Sequence, residues 1–357
     1  MFSHKLKISA ESLEKGFLSN KKSRIYFFVQ DTKGHAKASI RYIYQMAMTL
    51  KQANYNAIIL HEKADYAGVA TWLGEEYMKE LPHKVIEGAN LEIAPEDYIV
   101  IPEIFAFVMD QVKNLPCGKI VLTQAYDHMM ETLQPGAAWG QFGFFKCITT
   151  SDVQKEYISK IMKNISIDVL PPYVSDVFEK AKLPPKPIVA VHTREQRDGI
   201  NLIKAFYLKY PQFRWITFRD LRGLTEAEFA NSLKDCFVSV WIDPTSAFGT
   251  FPLESMKVGT PVVGQAPNLV PSWMNEDNGI WIQNPIQLVD IVADFIQNWI
   301  EDNIKPELYD NIDKTAAEFA DKTKFESKVV ELFDSYLKTR KESFEGQLNK
   351  LNETIEA

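Results

Sequence analysis

Hydrophobic positions fall along this chain in two alternating rhythms. Arg24-Ile25-Tyr26-Phe27-Phe28-Val29 is a short, nearly unbroken apolar run, as in a strand buried on both faces. A polar loop with Gly34 follows, and over residues 36–52 the apolar Ile40, Ile43, Tyr44, Ala47 and Leu50 recur at helical spacing. Residues 56–60 return to strand character. Strand, glycine loop, helix and strand together open a doubly wound sheet. Further strands are predicted over 98–101, 119–123, 147–150 and 167–170. A helix is predicted over 152–163, with Ser151 or Asp152 as its N-cap.

The rhythm then restarts. Leu183-Pro184-Pro185-Lys186-Pro187 is the most linker-like segment, because proline fixes φ and resists both helix and central strand. Beyond it the pattern predicts strands over 188–192, 213–218 and 237–241. It predicts helices over 199–209, 225–234 and 252–258, the second opening on a capping segment at Thr225 and Glu228. From Gln287 onward the character is helical, and residues 338–357 are highly charged. The expected organisation is a first Rossmann-like unit over 1–182 and a second over 183–337, followed by a charged tail over 338–357. A length of 357 residues, beyond the range of one hydrophobic core, supports two domains.

Composition narrows the class of function. A net charge of −7, with no concentrated basic patch, argues against nucleic acid as a partner. Cys117, Cys147 and Cys236 are odd in number and far apart, which implies neither a disulfide framework nor a metal site. That usage fits a reducing compartment, so a cytoplasmic location is expected. Residues 1–22 lack the apolar run of a signal peptide, and no stretch approaches the roughly 18 apolar residues of a membrane span. The charged tail remains a candidate surface for a partner or for peripheral membrane contact. Phosphate-loop, nucleophile-elbow and His-Glu-x-x-His patterns are missing, as is any Asp-x-Asp pair.

The most informative stretch runs from Ser246 to Gly264: Ser246-Ala247-Phe248-Gly249-Thr250-Phe251-Pro252-Leu253-Glu254-Ser255-Met256-Lys257-Val258-Gly259-Thr260-Pro261-Val262-Val263-Gly264. It reads as a glycine loop at the carboxyl end of a strand, entering a helix with proline in its first turn. Such a helix start offers unpaired N–H groups and partial positive charge, which suits a diphosphate. Gly249 lets a ligand approach the backbone, and Glu254, expected in the first turn, is placed to accept hydrogen bonds from a ribose diol.

This stretch resembles the signature of retaining glycosyltransferases of the family 4 type, Glu-Gly-Phe-Gly-x-x-x-Leu-Glu-Ala-Met-x-x-Gly-x-Pro-Val. The resemblance implies the GT-B fold, an α/β architecture of two Rossmann-like domains facing across a cleft. It implies transfer of a sugar from a nucleotide-sugar donor to an acceptor hydroxyl, with retention and with no cofactor or metal. Glu254 matches the ribose-gripping glutamate. The sugar-contacting glutamate falls on Ser246, a departure. Other segments align in order: Gly34 with the first glycine loop, Thr149-Thr150-Ser151-Asp152, Leu170-Pro171-Pro172-Tyr173-Val174, and Arg194 ahead of 199–206. Arg194 corresponds to a diphosphate-binding arginine. The accompanying lysine falls on Asp198, with Arg197 beside it.

Phe248, Gly249 and Thr250 complete the implied donor site. Gln124 and His128, after a first-domain strand, are the candidates for donor-sugar contact and catalysis. Trp241, Trp273 and Trp281 read as core. The acceptor is a glycan, lipid-linked or protein hydroxyl that these residues do not define. The loss of the first glutamate also fits a catalytically weak binding or scaffold subunit. A third reading is another nucleotide-sugar enzyme of this fold, such as an epimerase.

Overall fold

The computed structural model describes residues 23–88 and 91–356, with side chains to residue 343; the polar leader over 1–22 lies outside the described residues. The first half runs β1 (Arg24–Phe28), α1 (Ala38–Gln52), β2 (Asn56–His61), α2 (Glu75–Glu80), β3 (His83–Val85), β4 (Tyr98–Pro102), α3 (Ala106–Val112), β5 (Gly118–Thr123), α4 (Tyr126–Thr132), β6 (Lys146–Thr149), α5 (Asp152–Ile161) and β7 (Ser166–Val169). The second runs β8 (Lys186–Thr193), α6 (Gln196–Lys209), β9 (Thr217–Asp220), α7 (Glu226–Lys234), β10 (Cys236–Ile242), α8 (Thr250–Lys257), β11 (Val262–Gln265), β12 (Ile280–Ile282), α9 (Leu288–Ile300), α10 (Pro306–Glu318) and α11 (Lys322–Glu356).

Two parallel sheets result, one of seven strands in the order β3-β2-β1-β4-β5-β6-β7 and one of five in the order β12-β11-β10-β8-β9. The unbroken apolar run of β1 has its reason here. Ile25 and Phe27 pack into one core with α1 and α11, while Tyr26 and Phe28 pack into another with α3 and α5. A strand covered on both faces cannot alternate apolar with polar residues. In each sheet the chain reverses its winding once, between β1 and β4 in the first and between β8 and β10 in the second. Such switch points open a crevice at the carboxyl ends of the strands.

Local signals hold in detail. The Ser151 hydroxyl accepts from the Gln154 N–H at the start of α5, and Thr225 and Glu228 form a reciprocal capping box at the start of α7. Three differences from the sequence reading have physical causes. The proline-rich segment does not stay outside the sheet, because β8 begins at Lys186. Pro187 is accommodated there because the pairing with β10 is irregular between Cys236 and Val238, so no ladder donor is needed from it. Residues 211–213 form a single turn of 3₁₀ helix, which delays the expected strand to β9. The three-residue β3 and β12 are too short to carry a period.

The terminal helix α11 crosses back to the first domain, burying Phe325, Val329, Phe333 and Tyr336 against it. It continues unbroken through the charged stretch over 338–356. Arg340 there donates to the carbonyl of Pro95 at 2.6 Å and to that of Pro116. Cys117, Cys147 and Cys236 are free and buried. Among the described residues no helix is long and apolar enough to cross a membrane.

His61, at the end of β2, is buried. Its Nε2 lies 2.8 Å from Nδ1 of His83, and the Tyr66 ring stacks on it at 3.5 Å. Burial, and then His83, hold its pKa down to about 4. The folded state therefore keeps His61 neutral while the unfolded chain takes a proton near pH 6.5. Its contribution is present above pH 6.5 and is lost as pH falls toward 4. Denaturant titrations should show a loss of at least about 1–3 kcal/mol across that window, and His61→Phe should reduce it without abolishing it, because burial also holds His192 down to about 4. An unchanged slope in that variant would assign the loss to other groups.

Candidate functional site

The carboxyl ends of the strands at both switch points face each other, and the candidate residues gather there. In the first domain, Gly34 lies in the loop between β1 and α1 with φ +80°, a conformation suited to glycine. Glu103, just after β4, is buried and accepts from the N–H groups of Gln124 and Ala125, each at 2.9 Å. That carboxylate sets the backbone after β5. Gln124 then donates from its side chain to the carbonyl of Ser39 at 3.1 Å. On α4, His128 places Nδ1 3.8 Å from Glu103.

In the second domain, Arg194 follows β8 and Asp243 follows β10. The Asp243 carboxylate accepts from the N–H groups of Thr245 (3.2 Å) and Ser246 (3.1 Å) and so turns the signature loop. Burial pushes the Asp243 pKa up, against the pull of Arg194. Ser246 is four residues beyond the end of β10. Its hydroxyl accepts from the Gly249 N–H at 3.0 Å, a role within the loop that the sequence did not suggest. Phe248 points inward: it is buried, packs on Phe319, and its carbonyl accepts from the Trp273 indole at 2.8 Å. Trp241 and Trp273 are core residues, with Trp281 partly buried against them.

Gly249 caps α8 in the left-handed region at φ +77°. A Cβ there would meet the Trp273 ring at 2.9 Å, so close packing with Trp273 as well as backbone conformation requires glycine. No side chain caps α8, and Thr250 opens it at the cleft. Glu254 is the fifth residue of α8 and therefore lies in the second turn. Arg197 is exposed near the start of α6, and its side chain makes no hydrogen bond or ion pair with the described residues.

Cross-domain contacts dominate the site. Arg194 donates to Asp127 at 2.8 Å, and its Nη2 lies 2.8 Å from Nε2 of His128. A guanidinium only donates, so Nε2 must accept, and the His128 proton sits on Nδ1 toward Glu103. Asn268 donates to the Tyr126 hydroxyl at 2.6 Å, and Ala125 pairs with Ser246 in an antiparallel bridge. Arg41 of α1 reaches across to Glu226 of α7 at 2.9 Å and to Glu254 of α8. Burial raises the pKa of Glu254, and Arg41 opposes that shift.

Arg41, Glu226, Asp127, Asp243 and Glu103 were not singled out by the sequence reading. The available signal was weak. Arg41, Gln45 and Thr49 recur every four residues as a polar stripe on the otherwise apolar α1. The space left between the domains is about 60 Å³, lined among others by Ser39, Arg41, Gln45, Gln124, Ser246 and Thr250. Ligand pockets run to about 300–1,000 Å³, so this space is smaller than a typical ligand site. Among the described residues no three His, Cys, Asp or Glu side chains converge as a metal-ligand set.

The glycine geometry is directly testable. Gly249→Ala adds left-handed strain to a clash with Trp273 and should cost about 2–4 kcal/mol in thermal or denaturant unfolding. Gly223→Ala, also at positive φ but with open space around its Cβ, should cost about 1 kcal/mol. Equal losses would show that Trp273 does not constrain the loop.

No family model matches the chain. It is 22% identical over 188 residues to an α-1,6-glucosyltransferase of Actinobacillus pleuropneumoniae serotype 7 (strain AP76), a stretch covering 50% of this chain and 56% of that protein. The chain thus spans about half the length of that curated relative. Among solved structures it is similar to sucrose-phosphate synthase from Thermosynechococcus elongatus, with TM-score 0.67 and 13% identity over 89% of this chain and 100% of that one. It is also similar to HepE of Anabaena in complex with UDP and glucose, with TM-score 0.65 and 13% identity over 88% and 100%. A third is S. aureus TarM in complex with UDP, fondaparinux and α-GlcNAc-glycerol, with TM-score 0.64 and 10% identity over 87% and 100%. The two parallel sheets and these likenesses make the fold GT-B.

Proposed function

We propose that this chain is a retaining glycosyltransferase of the family 4 type that transfers a sugar from a nucleotide-sugar to a glycan hydroxyl, without a metal ion. One observation carries the reading: groups suited to a sugar diphosphate converge from both switch points on one cleft. The uncapped start of α8 and Arg194 come from the second domain, and Gln124 and His128 come from the first. HepE and TarM were solved with UDP, and the curated relative is a glucosyltransferase, so UDP-glucose is the first donor to test.

In this reading the N–H groups of α8 and the Arg194 guanidinium take up charge as the bond from the sugar to the diphosphate breaks. A bound diphosphate competes with Asp127 for Arg194. The acceptor oxygen forms its bond to the anomeric carbon on the face the diphosphate vacates, and its proton passes to the departing phosphate. Glu254 accepts from the ribose hydroxyls. Gln124 and His128 face the donor sugar, and Ser246, Phe248 and Thr250 shape the loop beneath it. Gly34 and the start of α1 close the phosphate side. Arg197 contributes to long-range attraction of the anion.

A binding or scaffold subunit is the second reading, favoured by Ser246 at the glutamate position and by the two carboxylates already beside Arg194. Turnover decides between them. With UDP-glucose and a panel of oligosaccharide acceptors, in the presence of a chelator, UDP should be released and a new glycosidic bond formed with retained configuration. Glu254→Ala should weaken UDP and UDP-glucose alike by about 10–100-fold. Tight UDP-glucose binding with no transfer and no hydrolysis would establish the binding-subunit reading instead.

A further inference from the structure

Arg41 belongs to the first domain, but both its anionic partners belong to the second, 185 and 213 positions away in the chain. Arg41 is 8% exposed and Glu254 is 4% exposed. Nη1 donates to Oε1 of Glu226 at 2.9 Å, Nη2 donates to Oε1 of Glu254, and the Phe178 ring lies 5.9 Å from the guanidinium carbon. A guanidinium presents its donors in a rigid planar fork, so engaging two carboxylates at once fixes both of them. No described residue donates to Oε2 of Glu254. Arg41 lines the cavity between the domains and touches Glu254, which is not itself part of the lining.

We propose that Arg41 is a positioning residue for the donor ribose. From the first domain it fixes Oε1 of Glu254 and leaves Oε2 as the acceptor for the ribose hydroxyls. The inference rests on the ribose role proposed for Glu254 and adds to it. The ribose is then read by a carboxylate that an arginine of the other domain holds in place.

Charge supports the geometry. The charged groups facing Glu254 are Arg41 from α1 and Glu226 from α7, with Tyr77 of α2 and Tyr173 standing beyond, toward Glu226. Burial and the nearby Glu226 both favour the protonated form of Glu254, and Arg41 favours the carboxylate. A carboxylate accepts only, as two ribose hydroxyls require, whereas a carboxylic acid spends one oxygen as a donor. Losing Arg41 therefore loosens Glu254 and lets it take up a proton at higher pH than before.

Calorimetry with UDP and 2′-deoxy-UDP, between pH 6 and pH 8, tests this. The unsubstituted protein should bind UDP about tenfold or more tightly than the deoxy analogue, a ratio with little dependence on pH because the terminal phosphate titrates alike in both. Glu254→Gln should reduce that ratio towards one, which checks the underlying reading. Arg41→Gln should reduce the ratio as well, and the ratio should fall further as pH drops from 8 to 6. Arg41→Lys keeps the charge and loses the fork, so it should restore the flat pH profile and only part of the ratio. It also serves as the folded control if Arg41→Gln unfolds. An effect of Glu254→Gln without one of either Arg41 variant overturns the positioning role alone. Tighter UDP binding by Arg41→Gln or Arg41→Lys also overturns it, because Arg41 would then obstruct Glu254. No ribose discrimination in the unsubstituted protein, or discrimination unchanged in Glu254→Gln, overturns the ribose reading and the inference together.

Discussion

The contact between the domains depends on one guanidinium held between two carboxylates in a nearly dry seam. Taking an ion out of water costs several kcal/mol, and attraction within the cluster offsets that only when the geometry is good. Here one cation serves two anions, Glu226 and Glu254. The other bonds across the seam are also polar: Arg194 to Asp127, Asn268 to Tyr126, and the Glu226 N–H to the carbonyl of Trp72. When such a seam opens, each partner regains water in place of its protein contact, so the net cost is small. The apolar contacts between the domains lie elsewhere, where α11 buries Phe325, Val329, Phe333 and Tyr336 against the first.

Topology decides where these groups meet. In a parallel sheet every loop at the carboxyl edge runs from a strand to the helix that follows it, and the reversal of winding leaves a gap between neighbouring loops. Glu103 and the Gly34 loop flank the gap of the first sheet, and Arg194 and Asp243 flank that of the second. Each anchors chain as well as facing the cleft: Glu103 holds the backbone at Gln124 and Ala125, and Asp243 holds it at Thr245 and Ser246. Each half of the site is thus anchored by a carboxylate of its own domain.

Legibility in the sequence followed the range of the cause. The buried strands were visible because a strand covered on both faces must be apolar throughout, as β1 is. Ser151 and Thr225 were visible because a cap acts within three residues. The α8 loop was visible because glycine, helix start and glutamate lie within one short stretch. Pro187 misled because its tolerance depends on a register irregularity opposite, at Cys236 and Val238. Gly249 was assigned to ligand approach, whereas its close neighbour is the Trp273 ring, 24 residues on. The short β3 and β12 carried too few residues for any period to show.

The same rule explains why the second domain's part of the site was more legible than the first's. Arg194, Gly249 and Glu254 sit in patterns that can be read from neighbouring residues: a strand end, a left-handed cap, and the first two turns of a helix. Arg41 has no local reason. On α1 it follows Ile40 and precedes Tyr42 and Ile43, where a charge placed only for solubility would face water. Instead it is buried, and its justification lies more than 180 positions away in both partners. A charged residue inside an apolar helical stretch is costly unless it is paired, so its presence is itself a signal that a distant carboxylate must come to it. That signal names no partner. Only the meeting of the two sheets across the cleft shows that one partner is the glutamate of the α8 loop, joining the least legible residue of the site to one of the most legible.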